Sequence, residues 1–119
     1  MSPQLELLLD TETGAPGDTV HGTVVVVEGG KSRSLTASLE YHESSEDFHR
    51  VARTVSVVTL HDGELVAGSR FPFALVLPAD ALPDYKSAHG ELAWKVHAES
   101  DELGRDTHVR HRVAVSLRA

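Results

Sequence analysis

The chain has 119 residues, enough for one hydrophobic core, so we expect residues 1–119 to form a single domain. It contains no cysteine, which excludes disulfides, thiolate metal sites and a cysteine nucleophile, and it carries a formal net charge of −7. This acidity, with only 5% aromatic residues, argues against a nucleic-acid partner, because phosphates need a basic face and single strands need stacking platforms.

The first ten residues, MSPQLELLLD, lack the basic region and the apolar run of a signal peptide. Elsewhere no apolar segment approaches the ~20 residues that a membrane-spanning helix needs. The sequence therefore predicts a cytoplasmic protein without a membrane span, and the absence of cysteine is compatible with a reducing compartment.

Apolar residues recur at every second position along nearly the whole chain, the period of a β-strand. The alternation predicts strands at residues 5–9, 20–26, 35–41, 48–60, 71–77, 92–98 and 109–117, with a short return strand at 65–66. Turn residues separate these segments, and the only helical candidate is one turn at residues 79–82. Seven or eight short strands with little or no helix predict an all-β antiparallel sandwich.

The segment FPFALVLPADALPDY, residues 71–85, combines a strand pattern with three prolines. The apolar residues at odd positions from Phe71 to Leu77 share one parity and are expected to face the core. Pro72 lies between them, and proline cannot donate a hydrogen bond to a neighbouring strand. The segment is therefore predicted to form an edge strand, whose outer row of hydrogen bonds Pro72 interrupts.

Five motifs follow one another along the chain: APGDTVHGTVVV at residues 15–26, GELVAG at 63–68, the Phe-Pro-Phe strand ending in Leu-Pro, the PDY element and the strand WKVHAES. Together, in this order, they resemble the landmarks of the arrestin-like β-sandwich superfamily. Members include arrestins, alpha-arrestins, the retromer cargo-binding subunit and bacterial sporulation-control proteins. The resemblance covers roughly residues 15–100 and implies an immunoglobulin-like sandwich that acts as a non-enzymatic adaptor or scaffold.

Adaptors of this superfamily bind other proteins by strand addition or through loops at the sandwich ends. The resemblance therefore implies an unidentified protein partner, or self-association, as the function of this chain. The chain departs from the arrestins because it offers one sandwich, and because its first basic residue is Lys31, so a phosphate-sensing role is not expected. Strand addition at a free edge is one expected mode, and the edge that carries Pro72 is the less suitable one.

The last hairpin contains a candidate metal site. A turn at DELG, residues 101–104, would place His97 directly opposite His108 on the solvent side, with their Cβ atoms about 4.5–5.5 Å apart. Two imidazoles at that distance can share a metal ion, and Glu99 and Asp106 flank them. The alternative function is therefore a metal- or small-ligand-binding sandwich, although polar pairs on an exposed face commonly bind nothing.

Motifs of catalysis are missing from the sequence. No serine lies in a G-x-S-x-G context, and there is no Walker-type loop, no G-x-G-x-x-G after a strand and no H-E-x-x-H. A hydrolytic or sugar-binding sandwich would need a cleft lined by paired carboxylates, which the sequence cannot place. We therefore predict a protein that is not an enzyme and needs no cofactor.

Overall fold

The computed structural model describes residues 2–117, which form nine strands and no helix. The strands are β1 (Gln4–Leu9), β2 (Thr13–Gly14), β3 (Thr19–Glu28), β4 (Ser34–Ser45), β5 (His49–Asp62), β6 (Arg70–Val76), β7 (Tyr85–Lys86), β8 (Gly90–Asp101) and β9 (Thr107–Val115). This part of the chain accordingly includes no helix that is long and apolar enough to cross a membrane.

The strands form two sheets packed together. One sheet has the order β1-β3-β6, and the other has the order β2-β9-β8-β4-β5, with β7 pairing to the start of β8. Every pairing is antiparallel except that of the two-residue β2, which runs parallel to β9. The all-β sandwich with seven longer strands is therefore confirmed.

The core lies between the sheets and is built from alternate residues of the longer strands. Trp94 on β8 is its largest fully buried side chain, and the Trp94 Nε1–H donates a hydrogen bond to the Leu82 carbonyl at 2.8 Å. The other fully buried apolar side chains include Val20, Val24, Val26, Leu35, Leu39, Leu65, Leu75, Leu77, Val96 and Val113.

Strand β6 is an edge strand, as the proline in it predicts. Leu77 just beyond it exchanges two hydrogen bonds with the chain before β3: its N–H donates to Asp18 at 2.8 Å, and its carbonyl accepts from Gly17 at 3.0 Å. Along an antiparallel pair, residues whose backbone groups are directed at the neighbouring strand alternate with residues whose groups are directed away from it. Leu77 is directed at the neighbouring strand, and Pro72, which pairs with Thr23, lies an odd number of positions before it. The nitrogen of Pro72 therefore points away from β3. The missing N–H therefore falls on the free edge and costs no bond within the sheet.

The glycine near the centre of the APGDTVHGTVVV motif is Gly22, and its surroundings explain why no larger residue stands there. It lies on β3 between Leu9 of β1 and Phe73 of β6. A Cβ atom at this position would lie 2.5 Å from Phe73 Cζ and 2.6 Å from the Leu8 carbonyl oxygen. The glycine is therefore required by close approach of its neighbours, and it provides the space that the Phe73 ring fills.

Strand β5 forms the free edge of the six-stranded sheet, and this edge is irregular. Its 14 residues pair with residues 34–44 of β4 through three register shifts, each of which marks a bulge or an irregularity. At one shift Ser56 adopts a φ of 55°, and its hydroxyl donates to the Val76 carbonyl at 2.8 Å. Bulges kink a strand and increase its twist, so this edge is a poor template for another strand.

Two details differ from the sequence predictions. Pro78 and Ala81 close a turn through a 3.0 Å backbone hydrogen bond, in place of the predicted helical turn. The last strand ends at Val115, two residues before its predicted end, and Leu117 beyond it is 65% exposed.

The register of the last hairpin is also shifted by two residues from the predicted one. His108 lies opposite Glu99, and His97 lies opposite Arg110. The turn extends to Asp106, because Asp106 Oδ1 accepts a hydrogen bond from the Glu102 N–H at 3.0 Å and Gly104 adopts a φ of 95°. A shift of two residues keeps every side chain on its predicted face of the sheet.

Candidate functional site

The outer face of the six-stranded sheet carries a chain of polar side chains across four strands, joined by hydrogen bonds and ion-pair contacts. We call it the histidine–carboxylate network; it consists of Glu40 and His42 on β4, His49 on β5, His97 and Glu99 on β8, and His108 and Arg110 on β9. The register of β4, β8 and β9 brings these residues together from distant parts of the sequence.

Glu40 lies at the centre of the network and is only 5% exposed. Its Oε1 accepts hydrogen bonds from Arg110 Nε and His42 Nε2, both at 2.9 Å. Its Oε2 accepts from His97 Nδ1 at 3.1 Å. A buried carboxylate with three donors is satisfied on both oxygens, as a buried charge must be.

Burial by itself raises the pKa of Glu40, because a low-polarity environment disfavours the charged form. Hydrogen bonds from His97, Arg110 and His42 stabilise the carboxylate and outweigh this effect, so its pKa lies well below the ordinary range. Glu40 is therefore an anion at any physiological pH and cannot act as a general acid. It serves as a fixed acceptor around which the donors are ordered.

The position of Glu40 determines the tautomers of the histidines on either side of it. His97 and His42 each donate to Glu40 through one ring nitrogen, so in the neutral ring the other nitrogen is an acceptor. His108 Nδ1 lies 2.8 Å from the free nitrogen of His97, and His49 Nε2 lies 2.8 Å from that of His42. Two imidazole pairs thus extend from one carboxylate, and in each pair the outer ring donates to the inner one.

The two ends of the network differ in charge. On one side burial lowers the pKa of His42, although its hydrogen bond to Glu40 opposes this shift. On the other side His108 Nε2 lies 3.9 Å from Glu99 Oε2. Burial and a hydrogen bond with Asp106 raise the pKa of Glu99. The His108 end therefore has an additional acidic side chain beside its outer imidazole.

The predicted metal ligands His97 and His108 do lie together. One ligand atom each from His97, Glu99 and His108 fall within 4.8 Å of one another. His97 lies on the predicted outer face of the sheet, but it is not exposed to solvent as expected, since the residue is only 8% exposed. Its neighbours on the outer face, Glu40 and Arg110, cover it.

Sequence reasoning missed Glu40 and His42 as members of a site. Ser38, Glu40 and His42 occupy alternate positions of β4, and this alternation of polar residues indicates that they share one face of the sheet. Their burial depends on side chains of β5, β8 and β9, and no local pattern reveals it.

A second feature is a groove at one end of the sandwich, which we call the end groove. It is a cavity of about 330 Å³ between the β4–β5 turn and the β7–β8 turn, lined by Phe48, Tyr85, Leu92, His89 and Glu43 among others. Phe48 and Tyr85 are 48% and 60% exposed. Two large aromatic side chains that line the same cavity are thus about half exposed to solvent.

The two sheets and their strand order define an arrestin-like β-sandwich, the fold that the Phe-Pro-Phe strand predicts. The structure is similar to that of Spo0M, a sporulation control protein from Bacillus subtilis, with a TM-score of 0.76 and 20% sequence identity. The match covers 99% of this chain and 51% of that protein, so this chain spans about half the length of Spo0M. No family model and no curated protein sequence matches the chain.

Proposed function

We propose that this domain is a non-enzymatic protein-interaction module that receives a partner in the end groove. The observation that carries the proposal is the pair of half-exposed rings, Phe48 and Tyr85, on one cavity. Aromatic side chains at the centre of an interface contribute much of the binding free energy in protein complexes. The arrestin-like fold, shared with a protein described as a sporulation control protein, is compatible with such a role.

The free strand edges are less suitable for the partner than the end groove. On β6 the nitrogen of Pro72 faces outward and offers no N–H to an added strand. On β5 the register shifts disrupt the row of outward donors and acceptors. Both are features that proteins use to prevent pairing between edges, so we favour contact through the end loops over strand addition.

The composition of the end groove indicates the chemistry of its occupant. Apolar surface from Phe48, Tyr85 and Leu92 lies beside a rim that includes Glu43 and Glu91. Each of these carboxylates already holds an arginine of this chain, Glu43 at 3.0 Å and Glu91 at 2.9 Å. The arrangement of apolar centre and polar rim fits a protein segment that inserts one large apolar side chain.

The experiment is site-specific photo-crosslinking in the cell. A benzoyl-phenylalanine at position 48 keeps the phenyl ring of Phe48 and adds a photoreactive benzoyl group, for which the half-exposed position leaves room. It is expected to give a discrete adduct with a partner, or with a second copy of the chain. The matched control carries the same group at Leu103, which is 94% exposed in the turn at the opposite end of β8. Addition of Tyr85→Asp should abolish the adduct at position 48. Identical adducts at both positions, or none at position 48, would contradict the proposal.

We place protein binding before metal binding as the main role, since the fold is shared with a protein described as a sporulation control protein. The proposed function requires no cofactor and no catalytic residue. The predicted cytoplasmic location is compatible with this function, since the chain has no cysteine and therefore no disulfide that a reducing compartment would break.

A further inference from the structure

The His108 end of the network has an arrangement that the protein-binding role does not use. We propose that His97, Glu99 and His108 bind one divalent transition-metal ion of the Zn²⁺ class on the outer face of the six-stranded sheet. The site is separate from the end groove and does not depend on the proposed protein-binding function.

The ligand atoms are already assembled. His97 Nε2 and His108 Nδ1 lie 2.8 Å apart, and the Glu99 carboxylate lies beside the second ring. Two nitrogens bound to one tetrahedral zinc ion, each about 2.0–2.1 Å from it, are roughly 3.3 Å apart. An opening of about half an ångström, with the proton of His108 moved from Nδ1 to Nε2 on the side of Glu99, therefore converts the hydrogen-bonded pair into a chelating pair. The His108 side chain is 40% exposed and can supply this motion by rotating.

The carboxylate of Glu40 gives His97 the orientation that a metal ligand needs. It accepts the Nδ1–H of His97, which fixes the ring and leaves the Nε2 lone pair directed at the site. Metal-binding histidines almost always donate their second ring N–H to a carboxylate, a carbonyl or water in this way. Arg110 and His42 hold Glu40 in turn, so the outer support is itself rigid.

The charge balance around the site also favours a cation. Glu99 Oε2 lies 3.9 Å from His108 Nε2, and Glu40 Oε2 lies 3.1 Å from His97 Nδ1, so each imidazole of the pair has a carboxylate beside its other ring nitrogen. The one guanidinium of the network, that of Arg110, is paired with Glu40. A bound divalent ion would balance the remaining negative charge.

Access and ligand type decide which ion fits. The Glu99 and His108 side chains are 32% and 40% exposed, so an ion can enter from solvent and keep one position for water. Two imidazoles with one carboxylate suit zinc and similar first-row ions, whereas Mg²⁺ and Ca²⁺ prefer oxygen ligands only. We therefore expect binding of Zn²⁺ and Co²⁺ and no binding of Mg²⁺ at the same concentration.

The first test is calorimetric titration of Zn²⁺ into the full chain, with the visible spectrum of bound Co²⁺ as the report on coordination number. One tight site per chain is expected, with the intense absorption of four-coordinate Co²⁺. His108→Ala should weaken this site at least tenfold, the scale on which even outer-shell partners of metal ligands matter. His89→Ala is the matched control, because it removes an exposed histidine that lies outside the network. Equal loss in both variants would show that the ion binds scattered surface histidines and would overturn the proposal.

The second test separates the ligands from their support. Glu99→Gln should weaken Zn²⁺ binding and change the Co²⁺ spectrum, because a direct ligand is lost. Glu40→Gln should weaken binding about 10–100-fold with the four-coordinate spectrum retained, because only the orientation of His97 is affected. Thermal unfolding without metal shows whether each variant is folded before titration. Unchanged affinity in folded Glu99→Gln, or no zinc binding by the wild-type chain, would overturn the site.

Discussion

Arg110 and Glu40 lie 70 positions apart in the sequence, and the Arg110 Nε–H donates to Glu40 Oε1 at 2.9 Å across the intervening strand β8. The contact joins the guanidinium of Arg110, whose side chain is 37% exposed, to the buried carboxylate of Glu40. Between these two residues lies His97, which donates to the second oxygen of Glu40. The outer face of the sheet is thus organised around one buried anion.

The stability of the fold should depend on the charge of Glu40. Replacement by Gln leaves Arg110 without its anion and His97 facing an amide donor, and a lost hydrogen bond to a charged group costs about 1.5–3 kcal/mol. We expect Glu40→Gln to lower the free energy of unfolding by about that amount in urea titration. Glu43→Gln on the same strand is the control, because its partner Arg50 is mostly exposed and such pairs contribute about 0–1 kcal/mol. Equal effects of the two changes would contradict the central role of Glu40.

Protonation of His42 should destabilise the protein as the pH falls below 6.5. Burial holds the pKa of His42 below that ordinary value in the folded state, whereas the unfolded chain titrates near 6.5. Between the two values the unfolded state binds more protons, so the contribution of His42 is complete above pH 6.5 and is lost as the pH falls through the folded pKa. Glu40, whose folded pKa is also lowered, acts in the same direction below its ordinary value of 4.5.

The variant His42→Gln tests this pH dependence, since its amide can still donate to Glu40 but cannot titrate. Unfolding free energies measured from pH 7 to pH 5 should decline less steeply in His42→Gln than in the wild type. One proton per molecule corresponds to a slope of at most about 1.4 kcal/mol per pH unit. The exposed-residue variant His89→Gln should keep the wild-type slope. An unchanged slope in His42→Gln would show that other groups control the acid transition.

Gly22 should tolerate no side chain. A Cβ atom would lie 2.5 Å from Phe73 Cζ and 2.6 Å from the Leu8 carbonyl, so the ring or the backbone of β1 would have to move. Overpacking of this kind costs about 1–3 kcal/mol, and we expect Gly22→Ala to lower stability to chemical denaturation by that amount. Combining it with Phe73→Leu should recover part of the loss, because the added methyl group then meets a smaller side chain. No recovery in the double variant would place the strain at the backbone contact with Leu8.

Pro72 should protect the β6 edge from pairing with another molecule. Pro72→Val restores an outward N–H on a strand that faces solvent, and we expect concentration-dependent self-association in size-exclusion chromatography with light scattering. The folded monomer should change in stability by less than about 1 kcal/mol, because the proline nitrogen makes no bond to β3. Ala74→Val is the matched control, as it adds apolar surface on the same exposed face of β6 but no new N–H. Association in both variants would point to the apolar surface and not to the hydrogen-bond edge.

Much of the fold could be predicted because strand formation and facing depend on local pattern. The period of two places Phe73 and Leu75 in the core, and the proline between Phe71 and Phe73 marks an edge. The short strand β2 was missed because two residues carry no period, and its parallel pairing with β9 depends on where the two sheets meet.

The candidate site could be predicted only in part. The alternation of side chains along each strand predicted that His97 and His108 lie on one face of the sheet. The prediction is correct although the register was wrong by two residues, because a shift of two leaves each side chain on the same face. The error arose because the turn extends to Asp106, whose side chain accepts the Glu102 N–H. The contacts of His97 and Arg110 with Glu40 depend on the order of β4, β8 and β9 in the sheet and on their register. Hydrophobic periodicity within each strand determines neither.

The sequence by itself determined the class of structure, the residues that face the core and the blunted edge at Pro72, because each follows from interactions within a few residues of chain. Only the tertiary structure decided that Glu40 is a buried anion with three donors and that His97 is covered. Burial of a charge is stable only when partners from other strands satisfy it, and those partners are selected by sheet register and strand order.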